Sequence, residues 1–250
     1  MTCINTGFTL YFGESPLVWA CIMMEPNPED ASSELLQLPL FPLNLVLFPG
    51  MRLPLHIFEE RYKTMISDCI DRDAPFGVLL IKEGLEAGGP AEPFRIGTTA
   101  RITQNTQLEG GRLNILTVGE KRFELVDILS ITPFMVGNIR FLTEVKGEVS
   151  EQLLVEIREE YATYLKQLTT VAGGWNRTLN VPTDSSSLAR DVIATMASSI
   201  ELPTSLRQEI LEDHQVNNRL ERLLPLLRQG NELMQEKVED SNPFKGPRLN

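Results

Sequence analysis

The 250-residue sequence predicts an α+β fold in which a small β-barrel comes first and a bundle of helices follows. Three features lead there. The run LPLFPLNLVLFPGMRLPLHIFEERY, residues 38–62, is apolar but repeatedly broken by proline. Between residues 96 and 142 apolar side chains recur at every second position, the period of a half-buried strand. Beyond residue 148 they recur at helical spacing. Strands first and helices afterwards is not the alternation that builds a parallel α/β sheet.

The proline-broken run decides the first element. Pro39, Pro42, Pro49 and Pro54 fall within sixteen residues, and each lacks the N–H that a helix interior or a central strand needs. Leu40, Phe41, Leu43, Leu45, Val46, Leu47, Phe48, Leu53, Leu55 and Ile57 are too apolar for a solvated linker. Short extended pieces that turn sharply and still bury their side chains satisfy both constraints. Phe58, Tyr62, Met65, Ile66, Cys69 and Ile70 then form one stripe of an amphipathic helix over Phe58–Asp71. Phe76–Ile81 is a compact apolar strand, and Lys82–Pro93, rich in Gly, Glu and Pro, reads as a mobile loop. Thr99–Leu108 and Arg112–Gly119 flank Glu109-Gly110-Gly111, a hairpin in which glycine supplies positive φ. Arg122–Leu129 and Phe134–Leu142 complete the strands. Gly97, Gly119 and Gly137 each border one, as bends or bulges at barrel corners do.

The helical part opens with Glu148–Leu168, where Leu153, Leu154, Ile157, Tyr161, Tyr164, Leu165 and Leu168 share a stripe. After a Gly-, Asp- and Ser-rich break at Ala172–Ser187, helices are expected over Ser186–Ile200 and Thr204–Asp213, the second with Thr204 as its N-cap. A last helix spans Gln215–Val238, and Pro225 inside it should kink or divide it. The expected organisation is a flexible extension over 1–33, a barrel subdomain over 34–146, a helical bundle over 147–238 and a disordered polar tail over 239–250. Residues 1–23 contain no Lys or Arg and are broken by Gly13, Glu14 and Pro16. They match neither a secretory signal nor a membrane span, and read as a dispensable extension with Met23 or Met24 as the working start.

Composition and charge narrow the function. With 42% hydrophobic and 23% charged residues the chain has the make-up of a soluble domain. Its net charge of −11 opposes nucleic acid as the main partner. The acidity is spread: residues 25–145 hold 11 basic and 17 acidic side chains, and residues 146–250 hold 12 and 16. Cys3, Cys21 and Cys69 form neither a disulfide framework nor a metal spacing, and fit reduced thiols in a cytoplasmic protein.

Chemistry is scarce. No G-x-x-x-x-G-K-[ST] loop, G-x-S-x-G elbow or H-E-x-x-H pair occurs. His56 with Glu59 and Glu60 has the order H-x-x-E-E, which fits no zinc motif, so His56 is expected as a capping or partly buried residue at the helix start. His214, after Glu212-Asp213, suits the end of a helix. The adjacent carboxylates Glu59/Glu60, Glu159/Glu160 and Asp71/Asp73 belong to solvated faces rather than to an acid–base pair around one cavity. Arg61, between Phe58 and Tyr62, is placed for a buried ion pair or for stacking on a ring. The reading assigns no catalytic residue, no cofactor and no metal.

In this order, the run LPLFPLNLVLFPGMRLPLHIFEERY, then GVLL, IGTTARI, LTVGEKRFEL and FMVGNIRFL, resembles the N-terminal substrate-recognition domain of the Lon protease family. LARDVIATMASSI and LPTSLRQEILEDHQVNNRLERL resemble the helices that follow the barrel there. The resemblance covers about residues 34–235 and implies a PUA-like pseudobarrel joined to a small helical bundle. Lon proteases continue into an ATPase module and a Ser–Lys peptidase. Neither has a counterpart here, so the expectation is a stand-alone, non-catalytic recognition module.

The expected partners are exposed or unfolded protein segments, held in an apolar groove or along a sheet edge. The candidate lining is Leu47, Phe48, Met51, Leu53, Leu55, Phe58, Tyr62 and Met65, with the Lys82–Pro93 loop beside it. An alternative is an adaptor or regulator of a separate ATP-dependent protease or chaperone. RNA binding by the PUA-like barrel and a small-ligand pocket inside it are further alternatives, the first opposed by the charge. No membrane partner is expected.

Overall fold

The structure, a computed structural model, describes residues 35–86, 91–145, 147–172 and 180–240. The expectations for residues 1–33 and for the tail from 241 onward lie outside the described residues. The strands are β1 (Leu36–Leu43), β2 (Arg52–Ile57), β3 (Phe76–Gly84), β4 (Ala91–Gln107), β5 (Leu113–Ser130) and β6 (Met135–Phe141). The helices are α1 (Glu60–Asp71), α2 (Glu151–Val171), α3 (Ser185–Ser199), α4 (Thr204–Glu212) and α5 (Val216–Asp240). The fold is α+β, with all six strands ahead of α2–α5.

The sheet runs β2-β5-β4-β3-β1-β6, and β5 also pairs with β6. That last pairing closes β1, β3, β4, β5 and β6 into a ring, leaving β2 as an outer edge strand on β5. The prolines are accommodated by a change of partner. Leu36–Leu40 pairs with β6, whereas Leu40–Leu43 pairs with β3. Pro39 therefore faces only Val136 and Pro42 only Leu79, so neither interrupts a ladder bonded on both sides. Pro54 sits in the edge strand, opposite Leu116.

Two buried clusters fill the ring. Leu38, Leu40, Leu79, Phe123, Leu125, Met135 and Ile139 form one. In the other, α1 plugs the barrel with Tyr62, Met65, Ile66 and Cys69 against Phe41, Phe76, Val78, Ala100 and Ile115. A third cluster joins barrel to bundle: Val46, Phe48 and Leu80 pack with Ile157, Tyr164, Val192, Ile193, Leu220 and Leu223. The loop that delivers Phe48 is clamped by its backbone. Thr98 Oγ1 donates to Leu47 O at 2.6 Å, Gly50 N to Gly119 O at 2.8 Å, and Gly119 N to Met51 O at 2.9 Å. Gln208 Nε2 on α4 donates to Ile96 O at 3.0 Å across the same junction.

Several expectations are corrected. Lys82–Gly84 and Ala91–Pro93 are not loop: Glu83 pairs with Glu92 and Gly84 with Ala91, and Lys82 bridges to Glu92 at 3.2 Å. This ribbon is polar because it leaves the barrel, so its composition resembles a loop while its backbone stays paired. Arg112–Gly119 and Arg122–Leu129 are one strand, β5, and Gly97, Gly119 and Gly137 lie inside strands rather than beside them. A Cβ on Gly119 would sit 2.3 Å from Phe48 O, so that glycine is a point of close backbone approach. Helix α1 starts at Glu60 after Glu59 as N-cap, which leaves Phe58 ahead of it. Pro203, not Thr204, is the N-cap of α4. Pro225 does not divide α5, which also takes in Glu239 of the expected tail. The hairpin glycines behave as expected, with φ of 72° at Gly110 and 69° at Gly111.

Candidate functional site

The eight residues singled out as a lining separate by burial. Leu47, Phe48, Leu53, Tyr62 and Met65 are core residues. Met65 and Tyr62 face inward because α1 has to fill the end of the barrel, and Leu47 and Phe48 because the clamped loop points them into it and into the bundle. Met51 and Leu55 are half-buried, packed at the margin of the core. Phe58 is 56% exposed, since it precedes α1 and has no helical face to join.

The surface that remains lies along β2 and the start of α1. In β2, Leu53, Leu55 and Ile57 alternate with Arg52, Pro54 and His56, and β5 is its one partner among the described strands. His56 is exposed in the strand rather than capping α1. Its Nδ1 lies 2.7 Å from Oδ1 of Asn114, its cross-strand partner. With Nδ1–H as the donor to that carbonyl oxygen, Nε2 is left as an acceptor. The His56 ring also stacks with Phe58 at 6.1 Å between centroids.

The adjoining corner is electrostatically knit. Arg61 pairs with Glu59 at 3.0 Å and lies 4.5 Å over the Tyr62 ring, whose opposite neighbour is Phe41, stacked at 4.0 Å. Arg61 thus stacks on a ring as expected, and its ion pair is half-exposed rather than the buried pair that was the other expectation. Burial raises the Tyr62 hydroxyl, Arg61 opposes it, and Glu59 and Glu86 add to it. Glu86 accepts from Asn44 Nδ2 at 2.7 Å, tying the β3–β4 ribbon to the end of β1. Leu85, 66% exposed, is its neighbour in sequence. Glu86 thus brings the end of β3 within electrostatic reach of Tyr62. Glu60 is taken by Lys63 at 2.8 Å, so His56, Glu59 and Glu60 do not converge. Among the described residues no group of three or more His, Cys, Asp or Glu side chains could hold a metal.

A second exposed apolar feature escaped sequence reasoning. At the β5–β6 turn Ile128, Leu129 and Ile131 are all largely exposed, around a cis Thr132–Pro133 bond. The signal was present as ILSI, three apolar residues just before a proline turn, but periodicity assigns such residues to the strand and not to its tip. No helix among the described residues is long and apolar enough to cross a membrane.

Comparison with known proteins places this geometry. A family model described as the ATP-dependent protease La (LON) substrate-binding domain matches residues 37–229. Lon protease of Buchnera aphidicola is 28% identical over 226 residues, 88% of this chain and 28% of that protein. Lon protease of Flavobacterium johnsoniae is 27% identical over 255 residues, 98% of this chain and 30% of that protein. The chain thus spans less than a third of the length of these relatives. Among solved structures, a Lon N-terminal domain protein from Xanthomonas campestris shares the fold with a TM-score of 0.57 at 24% identity, covering 76% of this chain and 98% of that one. The N-terminal domain of Mycobacterium avium complex Lon protease aligns with a TM-score of 0.50 at 18% identity, covering 82% and 100%.

Proposed function

The chain belongs to the Lon substrate-binding domain family, and on that premise we propose that it is a non-catalytic module that holds exposed or unfolded segments of other proteins. The match across residues 37–229 is the observation that carries this reading, because it spans barrel and bundle together. An exposed edge strand supports it. An extended segment laid along β2 would gain backbone hydrogen bonds at an edge strand and set apolar side chains against Leu55 and Phe58. Pro54 withholds one donor from that edge, so side-chain burial does more of the work there than the ladder.

The test is fluorescence anisotropy of the full chain with a labelled, chemically unfolded protein and with its native form. Binding of the unfolded form at tens of micromolar or tighter is expected, with a several-fold weaker Kd in a Phe58→Ser variant. No binding of unfolded proteins or peptide arrays at that concentration overturns the proposal, as does proteolysis by the purified chain itself.

A second reading follows from the relatives being named Lon protease while this chain spans 28–30% of their length. In it the chain hands its clients to a separate ATP-dependent protease or chaperone. Pull-down from native cytoplasm, where this reading places the protein, supports it if such an enzyme is retained. A pull-down that retains none removes it.

A further inference from the structure

Where barrel and bundle meet, a cleft of about 230 Å³ gathers four basic side chains on its walls. Its walls carry Lys121, Arg122, Arg190 and Arg219 against Glu120 and Glu144, with Asp191 paired to Arg190 and Asp213 acting on Arg122 from beside the walls. Glu120 is engaged elsewhere, accepting from Arg101 Nε at 2.5 Å. Glu144 is the carboxylate within reach of both innermost arginines, and the charge of Asp213 also acts on Arg122. Arg219 Nη2 donates to Glu144 Oε1 at 2.5 Å, while Arg122 Nη2 stands off at 3.8 Å.

Both arginine side chains are more than nine-tenths buried, with 4% exposure for Arg122 and 6% for Arg219. Arg122 spends Nη1 on the carbonyls of Leu211 and Asp213, each at 2.7 Å. Its Nη2 and the Nε of Arg219 are buried without an acceptor among the described residues. Two buried guanidiniums side by side, each with a donor left over, is an expensive arrangement for a purely structural joint. Its cost shows in Arg122, lowered to about 10 by burial first and by the Arg219 charge second.

The geometry points to an oxyanion site in this cleft, and its ligand is a small phosphomonoester with an apolar body. The three acceptor oxygens of a phosphate can meet the spare donors of both arginines, where a carboxylate offers only two. The planar, many-donor guanidinium suits phosphate oxygens. Phe48, Ile193 and Leu211, also on the walls, offer the apolar body a surface. The volume is smaller than that of drug-sized pockets, which favours a small molecule over an extended peptide. The site is independent of the peptide-holding surface at β2.

Isothermal titration of the full chain with phenyl phosphate, and with benzoate as the carboxylate control, tests the site at constant ionic strength set with chloride. Phenyl phosphate is expected to bind at millimolar Kd or tighter, and benzoate several-fold more weakly. Arg190→Ala removes a half-exposed rim cation whose ion pair is with its neighbour Asp191, and is expected to weaken binding several-fold. Glu144→Gln removes the resident competitor and is expected to tighten it about tenfold, the low end for one close charge pair. Should Glu144→Gln fail to fold, Arg190→Ala and the benzoate comparison decide. No heat with phenyl phosphate, equal or tighter binding of benzoate, or affinities unchanged by the variants that fold each overturn the assignment and leave the arginines as a joint between the two parts.

Discussion

Phe48 separates a core reading of the proline-rich run from a surface reading. Its side chain is 2% exposed, in the cluster that joins the barrel loop to the bundle. Its backbone is held independently, with Phe48 O accepting from Met51 N at 3.0 Å. Phe48→Ala therefore removes packing without releasing the loop. Full burial of such a ring is worth about 1.5–3 kcal/mol in transfer free energy, and the cavity left by an incomplete collapse raises the loss to about 3–5 kcal/mol. Against a total stability of about 5–15 kcal/mol that is a large fraction. It corresponds to a fall in Tm of roughly 6–20 °C for a domain of this size. Phe58→Ser, at an exposed position, should shift stability by no more than about 0.5 kcal/mol. Urea unfolding gives both numbers, and anisotropy with a labelled unfolded protein gives the other axis. Phe48→Ala should lose stability and, while still folded, bind like the parent; Phe58→Ser should do the reverse. Phe48→Ala within about 1 kcal/mol of the parent but defective in binding would refute the reasoning and return Phe48 to the binding surface.

Cys69 should resist alkylation in native buffer near pH 8 and react only as the chain unfolds, because burial, aided by Asp68 and opposed by Arg72, pushes its thiol up to about 11 from 9.0. The folded state then keeps this proton longer than the unfolded chain does, so the contribution is complete below pH 9 and stability falls as pH rises from 9 towards 11; prompt labelling of native protein, followed by mass spectrometry, would contradict this. Gly119→Ala should cost at least about 2 kcal/mol by urea unfolding, since its Cβ would meet Phe48 O at 2.3 Å and Leu47 Cγ at 3.2 Å where neither neighbour can swing aside; a neutral result would show that the clamp around the loop is soft.

The order of elements was legible because each long segment carries one clear period: two in β4 and β5, near 3.6 in α2 and α3. Composition failed where a strand leaves the core. The Lys82–Gly84 ribbon shows only Gly and charged residues, although Glu83 and Glu92 are paired. Burial within the site was the least legible part. Leu53 and Leu55 both read as apolar strand residues, but one is core and the other half-open, a difference fixed by how α1 caps the barrel. Arg122 and Arg219 had no local signal at all. Their meeting at Glu144 depends on a barrel strand and a helix almost a hundred residues further on being brought together by the fold.

The proline-rich run is better understood as a joint than as a groove. Its first part is β1, whose change of partner at Leu40 helps to close the barrel. Its middle sends Val46 and Phe48 out of the barrel into the bundle, under backbone bonds to Thr98 and Gly119. Its last part returns as the edge strand β2 and ends at Phe58 beside the Tyr62 corner. Each handover needs the chain to stop pairing with one neighbour before it meets the next, and proline and Gly50, with φ of 84°, enforce those stops. The apolar residues between the stops are there because three cores have to be served from one stretch of chain. Only at its far end, where no core is left to fill, does the same composition emerge as a surface that another protein could occupy.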